Sequence, residues 1–179
     1  MAKTALLIID VQHGVFLRKH YDGKAVYRED EFLETLRSLI AKARATGTPV
    51  IYIQHLYENF PPMAKDSPYW LPHPAIAPQG GDIMIEKTHA DAFWNTPLHE
   101  TLQSLNVDTL VFTGMQTEFC VDTTLRRALT LGYTNLVAGG GHSTLDSDIL
   151  SAGDIIAHHN SIWATQFARV LPAGEISFD

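Results

Sequence analysis

The chain has 179 residues, 45% of them hydrophobic and 18% charged, the balance of a soluble globular protein long enough to bury one substantial core. Its net charge of -7, without a basic patch or lysine run, argues against nucleic acid and anionic membranes as partners. A single cysteine excludes an internal disulfide and gives no sign of secretion.

The first apolar run, Ala5 to Ile9, is broken by Asp10. It is too short for a membrane span or a signal core and reads as a strand covered on both faces, so the expected location is the cytoplasm. Asp30 to Ala45 carries Phe32, Leu33, Leu36, Leu39, Ile40 and Ala43 on one helical stripe closed by Gly47 and Pro49. Val50 to Ile53 is a second buried-type strand. From Tyr57 to Gly81 six prolines interrupt a segment without periodicity, the pattern of a functional wall or lid.

Ile83 to Glu86 is the third strand, and Thr96 to Leu105 a helix with Thr96 as N-cap and Pro97 at its first position. Thr109 to Thr113 is the fourth strand, followed by a helix over Glu118 to Leu131 that stops at Gly132. Asn135 to Ala138 is a fifth strand, Gly139 to Gly141 a tight turn, Ser147 to His158 a helix, and Ile162 to Leu171 supplies a last strand. Strands alternating with helices predict a single-domain, three-layer α/β/α protein with a six-stranded, mostly parallel sheet.

In such sheets ligands bind outside the carboxyl ends of the strands. The residues there are Asp10, Gln54 and His55, Lys87, Met115 through Cys120, and His142. Cys120 follows Thr117, a predicted N-cap, by three residues, and a helix N-terminus stabilises a thiolate and lowers its pKa. Asp10 can take the thiol proton, and Lys87 can hold both charges. A nucleophile, a base and a cation suit acyl transfer through a thioester. Taken singly, each also reads as ordinary structure: a lone cysteine as a small core residue, the lysine as a solvated charge.

Three segments, LLIIDVQHGVF, EKTHADAFWNTPLHETL and TGMQTEFCVDTTLRRALTLGY, resemble the motif blocks of the isochorismatase-like cysteine hydrolase family. That family includes nicotinamidases, N-carbamoylsarcosine amidases and streptothricin hydrolases. The resemblance implies an Asp10–Lys87–Cys120 triad, a cis peptide at Met115–Gln116, and an oxyanion hole made by the backbone N–H groups of Gln116 and Cys120. It also implies a homo-oligomer, dimer or higher.

The metal site of nicotinamidases needs an Asp-x-His pair after the second strand. Here that place reads Gln54-His55-Leu56-Tyr57, so no metal and no cofactor is expected. A metal-assisted alternative would pair His55 with His73 or His89. Isochorismatases proper tend to lack the cysteine, so Cys120 favours cleavage of a C–N bond in a small amide or lactam. The segments around Gln54-His55, Gly141 to Ser147 and Ile155 to Asn160 resemble the streptothricin-hydrolase-like branch. A scaffold of the same fold that binds without catalysis is the remaining alternative.

Phe16, Trp70, Phe93 and Trp94 flank the motif blocks and are expected, with His55 and His142, to line a pocket for a flat or cyclic substrate. Core packing is the other reading of the four aromatics. The Gly139–Gly141 run lacks the GxGxxG pattern and the P-loop lysine, so it is read as a turn placing His142 or Thr144 near the substrate. His158 and His159 are read as capping or interface residues at a helix C-terminus.

Overall fold

The computed structural model describes residues 3–178. Six strands form one sheet in the order β3-β2-β1-β4-β5-β6, parallel throughout rather than mostly so. In chain order the elements are β1 (Thr4–Ile9), α1 (His13–Phe16), α2 (Arg18–Tyr21), α3 (Glu29–Ala45), β2 (Val50–His55) and β3 (Ile83–Lys87). Then come α4 (Leu98–Ser104), β4 (Thr109–Met115), α5 (Asp122–Thr130), β5 (Thr134–Ser143), α6 (Ala152–Gln166) and β6 (Arg169–Pro172). No helix among the described residues is long and apolar enough to cross a membrane.

The pleat sends alternate residues of β1 to opposite faces. Leu6 and Ile8 pack with Phe32, Leu36, Leu39 and Ile40 of α3 on one side. Leu7 and Ile9 pack on the other with Leu98 and Leu102 of α4, Leu125 of α5 and Trp163 of α6. Burial on both faces explains why these strands are continuous apolar runs. The sheet runs outward from β1 in two directions, through β2 on one side and β4 on the other. That reversal opens a crevice at the strand ends, where Asp10, His55, Lys87 and the chain after Met115 converge.

β1 and β4 approach tightly at the crevice. Gly114 has φ +122°, and a Cβ there would stand 2.1 Å from the Ile9 carbonyl oxygen. Gly114→Ala is therefore expected to destabilise by about 3 kcal/mol or more, measured as a lowered urea midpoint, because both backbone conformation and space exclude a side chain.

Two expectations are corrected here. The Gly139–Gly141 run is not a turn between elements but lies inside β5, where the pairing with β4 jumps from Phe112–Val137 to Gly114–His142. Gly140 has φ +77°, so the glycines make a bulge that returns His142 to the ladder. The final helix starts at Ala152, not Ser147, and runs to Gln166, so Ile162 to Gln166 are helical and β6 is a short strand. The cap is Ser151, whose Oγ accepts from the Asp154 N–H, whereas Ser147 Oγ accepts from the N–H groups of Ile149 and Leu150 in a turn. His158 and His159 accordingly sit within α6, not at its C-terminus.

Candidate active site

Asp10 follows β1 in the left-handed region, φ +53°, with its N–H bonded to the Ile53 carbonyl. A non-glycine residue there carries local strain of about 1–3 kcal/mol. Lys87 ends β3, and its side chain is wholly buried. Cys120 is carried on a single π-helical turn, Thr117–Val121, that leads into α5. The peptide bond before that turn, Met115–Gln116, is cis.

The three side chains meet. Lys87 Nζ lies 2.7 Å from Asp10 Oδ2 and 3.2 Å from Cys120 Sγ. It also lies 3.1 Å from His55 Nδ1 and 2.9 Å from the His89 carbonyl oxygen. An ammonium has three hydrogens for these four acceptors, so one of them is always short of a full hydrogen bond. His55 Nδ1 is 3.6 Å from Asp10 Oδ2, which on distance alone resembles an ion pair. Lysine can only donate, however, so Nδ1 facing Lys87 is a lone pair and the ring proton is on Nε2. The ion pair in this cluster is Asp10–Lys87.

Burial alone would push the Asp10 carboxyl up, but the Lys87 ammonium holds it below the usual carboxylate range. Burial likewise opposes charge on Lys87, and Asp10 and then Cys120 raise it above the ordinary lysine value. Burial first, and then the Asp10 charge, push the Cys120 thiol up, outweighing Lys87. This reverses the lowered thiol pKa expected from a helix N-terminus: desolvation and a buried carboxylate dominate over the partial charge of one turn. The resting cluster holds a neutral thiol beside a carboxylate–ammonium pair. Asp10 Oδ1 is buried with no hydrogen-bond partner among the described residues, and the carboxylate and Sγ lie within 4.8 Å.

A cavity of about 410 Å³ opens onto this cluster, with Asp10, His55, Met115, Gln116 and Cys120 at its floor. One wall comes from the α1–α2 segment through Val15, Arg18 and Asp22. The other comes from the proline-rich segment through Tyr57, Asn59, Phe60 and Met63. Gln12 and Trp70 fix the end of β2 against it. The buried Gln12 amide donates to the carbonyls of His55 and Trp70 and accepts from the His55 N–H, while Trp70 Nε1 donates to the His55 carbonyl.

Of the six residues expected to line a substrate pocket, only His55 does so. Phe16 packs in the core against the His73 ring. Trp70 is buried behind His55, and Phe93 stacks on Tyr133. Trp94 is 55% exposed, with its ring near His89. Apolar surface drew the first three inward, which sequence flanking a motif does not reveal. Thr144 donates to Glu118 Oε1. The metal alternative is not assembled: among the described residues the only metal-ligand grouping is Asp10, His55 and Cys120, without His73 or His89. The Lys87 ammonium contacts all three of its members, so the donor set already faces a cation.

His142 is buried behind the nucleophile turn. Its Nδ1 accepts from the Thr117 hydroxyl at 2.9 Å, and Nε2 donates to Asn160 Oδ1 at 3.0 Å. Burial pushes its pKa down to about 4, from 6.5, against the pull of Asn160. A depressed histidine contributes stability that is present above pH 6.5 and is lost as pH falls through 4. Stability should fall in that window by on the order of 3 kcal/mol from this group. His142→Gln should flatten the decline, as read by urea unfolding at a series of pH values.

A three-layer parallel α/β domain with an aspartate, a lysine and a cysteine gathered at its topological switch point defines the class. Residues 4–171 match the isochorismatase domain, and the chain belongs to the isochorismatase family. A solved isochorismatase family protein superposes with a TM-score of 0.86 at 39% identity, covering 94% of this chain and 97% of that one. Among curated proteins, a streptothricin hydrolase of Streptomyces noursei is 33% identical over 79% of this chain, and this chain spans only 55% of its length. The ureidoacrylate amidohydrolase RutB of Stutzerimonas stutzeri is 29% identical, over 76% of this chain and 68% of that protein.

Proposed function

We propose that this chain is a cysteine hydrolase that cleaves a C–N bond of a small amide or lactam through a thioester on Cys120. The observation that carries the reading is the contact of Lys87 Nζ with both Asp10 Oδ2 and Cys120 Sγ, at 2.7 and 3.2 Å, on the floor of a ligand-sized cavity. The relatives named for amide and streptothricin hydrolysis support the same chemistry.

Because the thiol rests neutral, its proton passes to Asp10 Oδ1 as Sγ attacks the carbonyl carbon, not before. The developing thiolate and the carboxyl then exchange roles beside Lys87, whose hydrogens shift toward sulfur. The N–H groups of Gln116 and Cys120 receive the oxyanion. Asp10 returns the proton to the leaving nitrogen and the C–N bond breaks, giving the thioester and an amine or ammonia. Asp10 next takes a proton from water as it attacks the thioester, and Sγ leaves with that proton restored. Self-association belongs to the same reading.

The test is ammonia release from a panel of amides, lactams and carbamoyl compounds, with intact-protein mass measured on acid-quenched samples. The expected result is turnover with an acyl adduct confined to Cys120 and removed by hydroxylamine. Turnover with no such adduct under single-turnover conditions would exclude the thioester route.

A further inference from the structure

Among the described residues Arg18 is the only arginine or lysine that lines this cavity, and it stands on one of its walls. Its Nε and Nη2 both donate to a single oxygen, Asp22 Oδ2, at 2.9 and 2.6 Å. A guanidinium has five N–H groups, so three of them have no protein partner among the described residues. Asp22 differs. Its Oδ2 takes both arginine donors and its Oδ1 accepts from the Lys24 N–H at 3.1 Å. The unspent capacity at the wall is donor capacity, and it is planar and positively charged. The apolar part of the lining that Arg18 shares with the cluster comes from Val15, Phe60, Met63 and Met115.

From this we propose that Arg18 reads an anionic group, and that the substrate is a small amide bearing a carboxylate, with the amide carbonyl over Cys120 and a short apolar or flat spacer between. The proposal rests on the hydrolase reading for the position of the carbonyl. The resting pair with Asp22 is an exposed i,i+4 contact, with side chains 31% and 40% accessible, and such pairs contribute little net stability. A ligand carboxylate can therefore share or replace Asp22 at small cost and gain a forked, charge-assisted contact in a more enclosed place. Asn59, also on the wall and exposed, offers a further amide donor.

Matched amides that differ only in the carboxylate test this: succinamate against butyramide, and para-carbamoylbenzoate against para-toluamide. Wild-type protein should show kcat/KM about tenfold or more higher for each acid than for its neutral partner. Arg18→Gln should bring that ratio to about one, mainly through KM, and Arg18→Lys, which keeps charge but loses the fork, should fall between. A wild-type ratio near one, or an unchanged ratio in Arg18→Gln, overturns the proposal. Calorimetry with succinate on Cys120→Ala separates it from the hydrolase reading. Binding that Arg18→Gln weakens about tenfold supports the anion site even where no amide turns over, and the hydrolase reading then falls alone. Turnover of butyramide with no succinate binding overturns the anion site alone, and neither turnover nor binding overturns both.

Discussion

Cys120→Ala is expected to lower turnover of a genuine substrate by on the order of 10⁴-fold or more while leaving the fold intact. The side chain is small and packed beside Val121 in the core, so truncation removes one sulfur and little volume. What remains is a cavity with donors and no nucleophile, and ammonia release at saturating substrate is the measurement. Wild-type-like rates would sink the mechanism. The same site geometry predicts slow alkylation: a thiol pushed up by burial and by Asp10 should react with iodoacetamide at neutral pH more slowly than a free thiol. Sluggishness toward that reagent is thus compatible with catalysis, because the substrate meets a base-assisted thiol rather than a standing thiolate.

Asp10→Asn should lower kcat by on the order of 10³-fold, since the amide cannot take the thiol proton. It should also destabilise by about 3–5 kcal/mol, because the wholly buried Lys87 ammonium loses its charged partner. The sign with pH follows from both shifts. Asp10 is lowered, so its stabilisation is present above its unfolded value of about 3.8 and lost as pH falls through the lower folded value. Lys87 is raised, so its contribution is present below about 10.5 and lost as pH rises through the higher folded value. The wild-type advantage over the variant should therefore persist across the neutral range and shrink at either extreme, as urea unfolding at several pH values would show. Equal stability of the two proteins at pH 7 would contradict the buried ion pair.

Much of the frame was legible because it depends on local pattern. The first four strands end within two residues of the apolar runs, and the rule that ligands collect at strand ends pointed to Asp10, His55, Lys87 and Cys120, which the fold brings together. The cavity walls were not legible residue by residue. Arg18 sits on a helix of four residues, too short for a periodic signal, and Tyr57 to Met63 belong to a proline-interrupted segment with no period at all. Phe16, Phe93 and His142 failed as pocket residues for one reason: adjacency to a motif says nothing about which side of the backbone a side chain leaves. The thiol's protonation failed for another, since a helix N-terminus is visible in sequence and the desolvation around it is not. The shifted last helix was readable in principle, from the Ser151-x-x-Asp154 cap that competes with Ser147.

Lys87 stands on β3, an edge strand, whereas Asp10 follows β1 near the middle of the sheet, with β2 between them. Their ion pair is thus a rivet across the crevice end of three strands. If the edge frays, Asp10 loses its counter-charge, its carboxyl is drawn toward the protonated form by burial, and the base is quenched while the rest of the sheet stays paired. Partial opening at one margin would therefore extinguish the chemistry well before global unfolding, and activity would report the integrity of that margin.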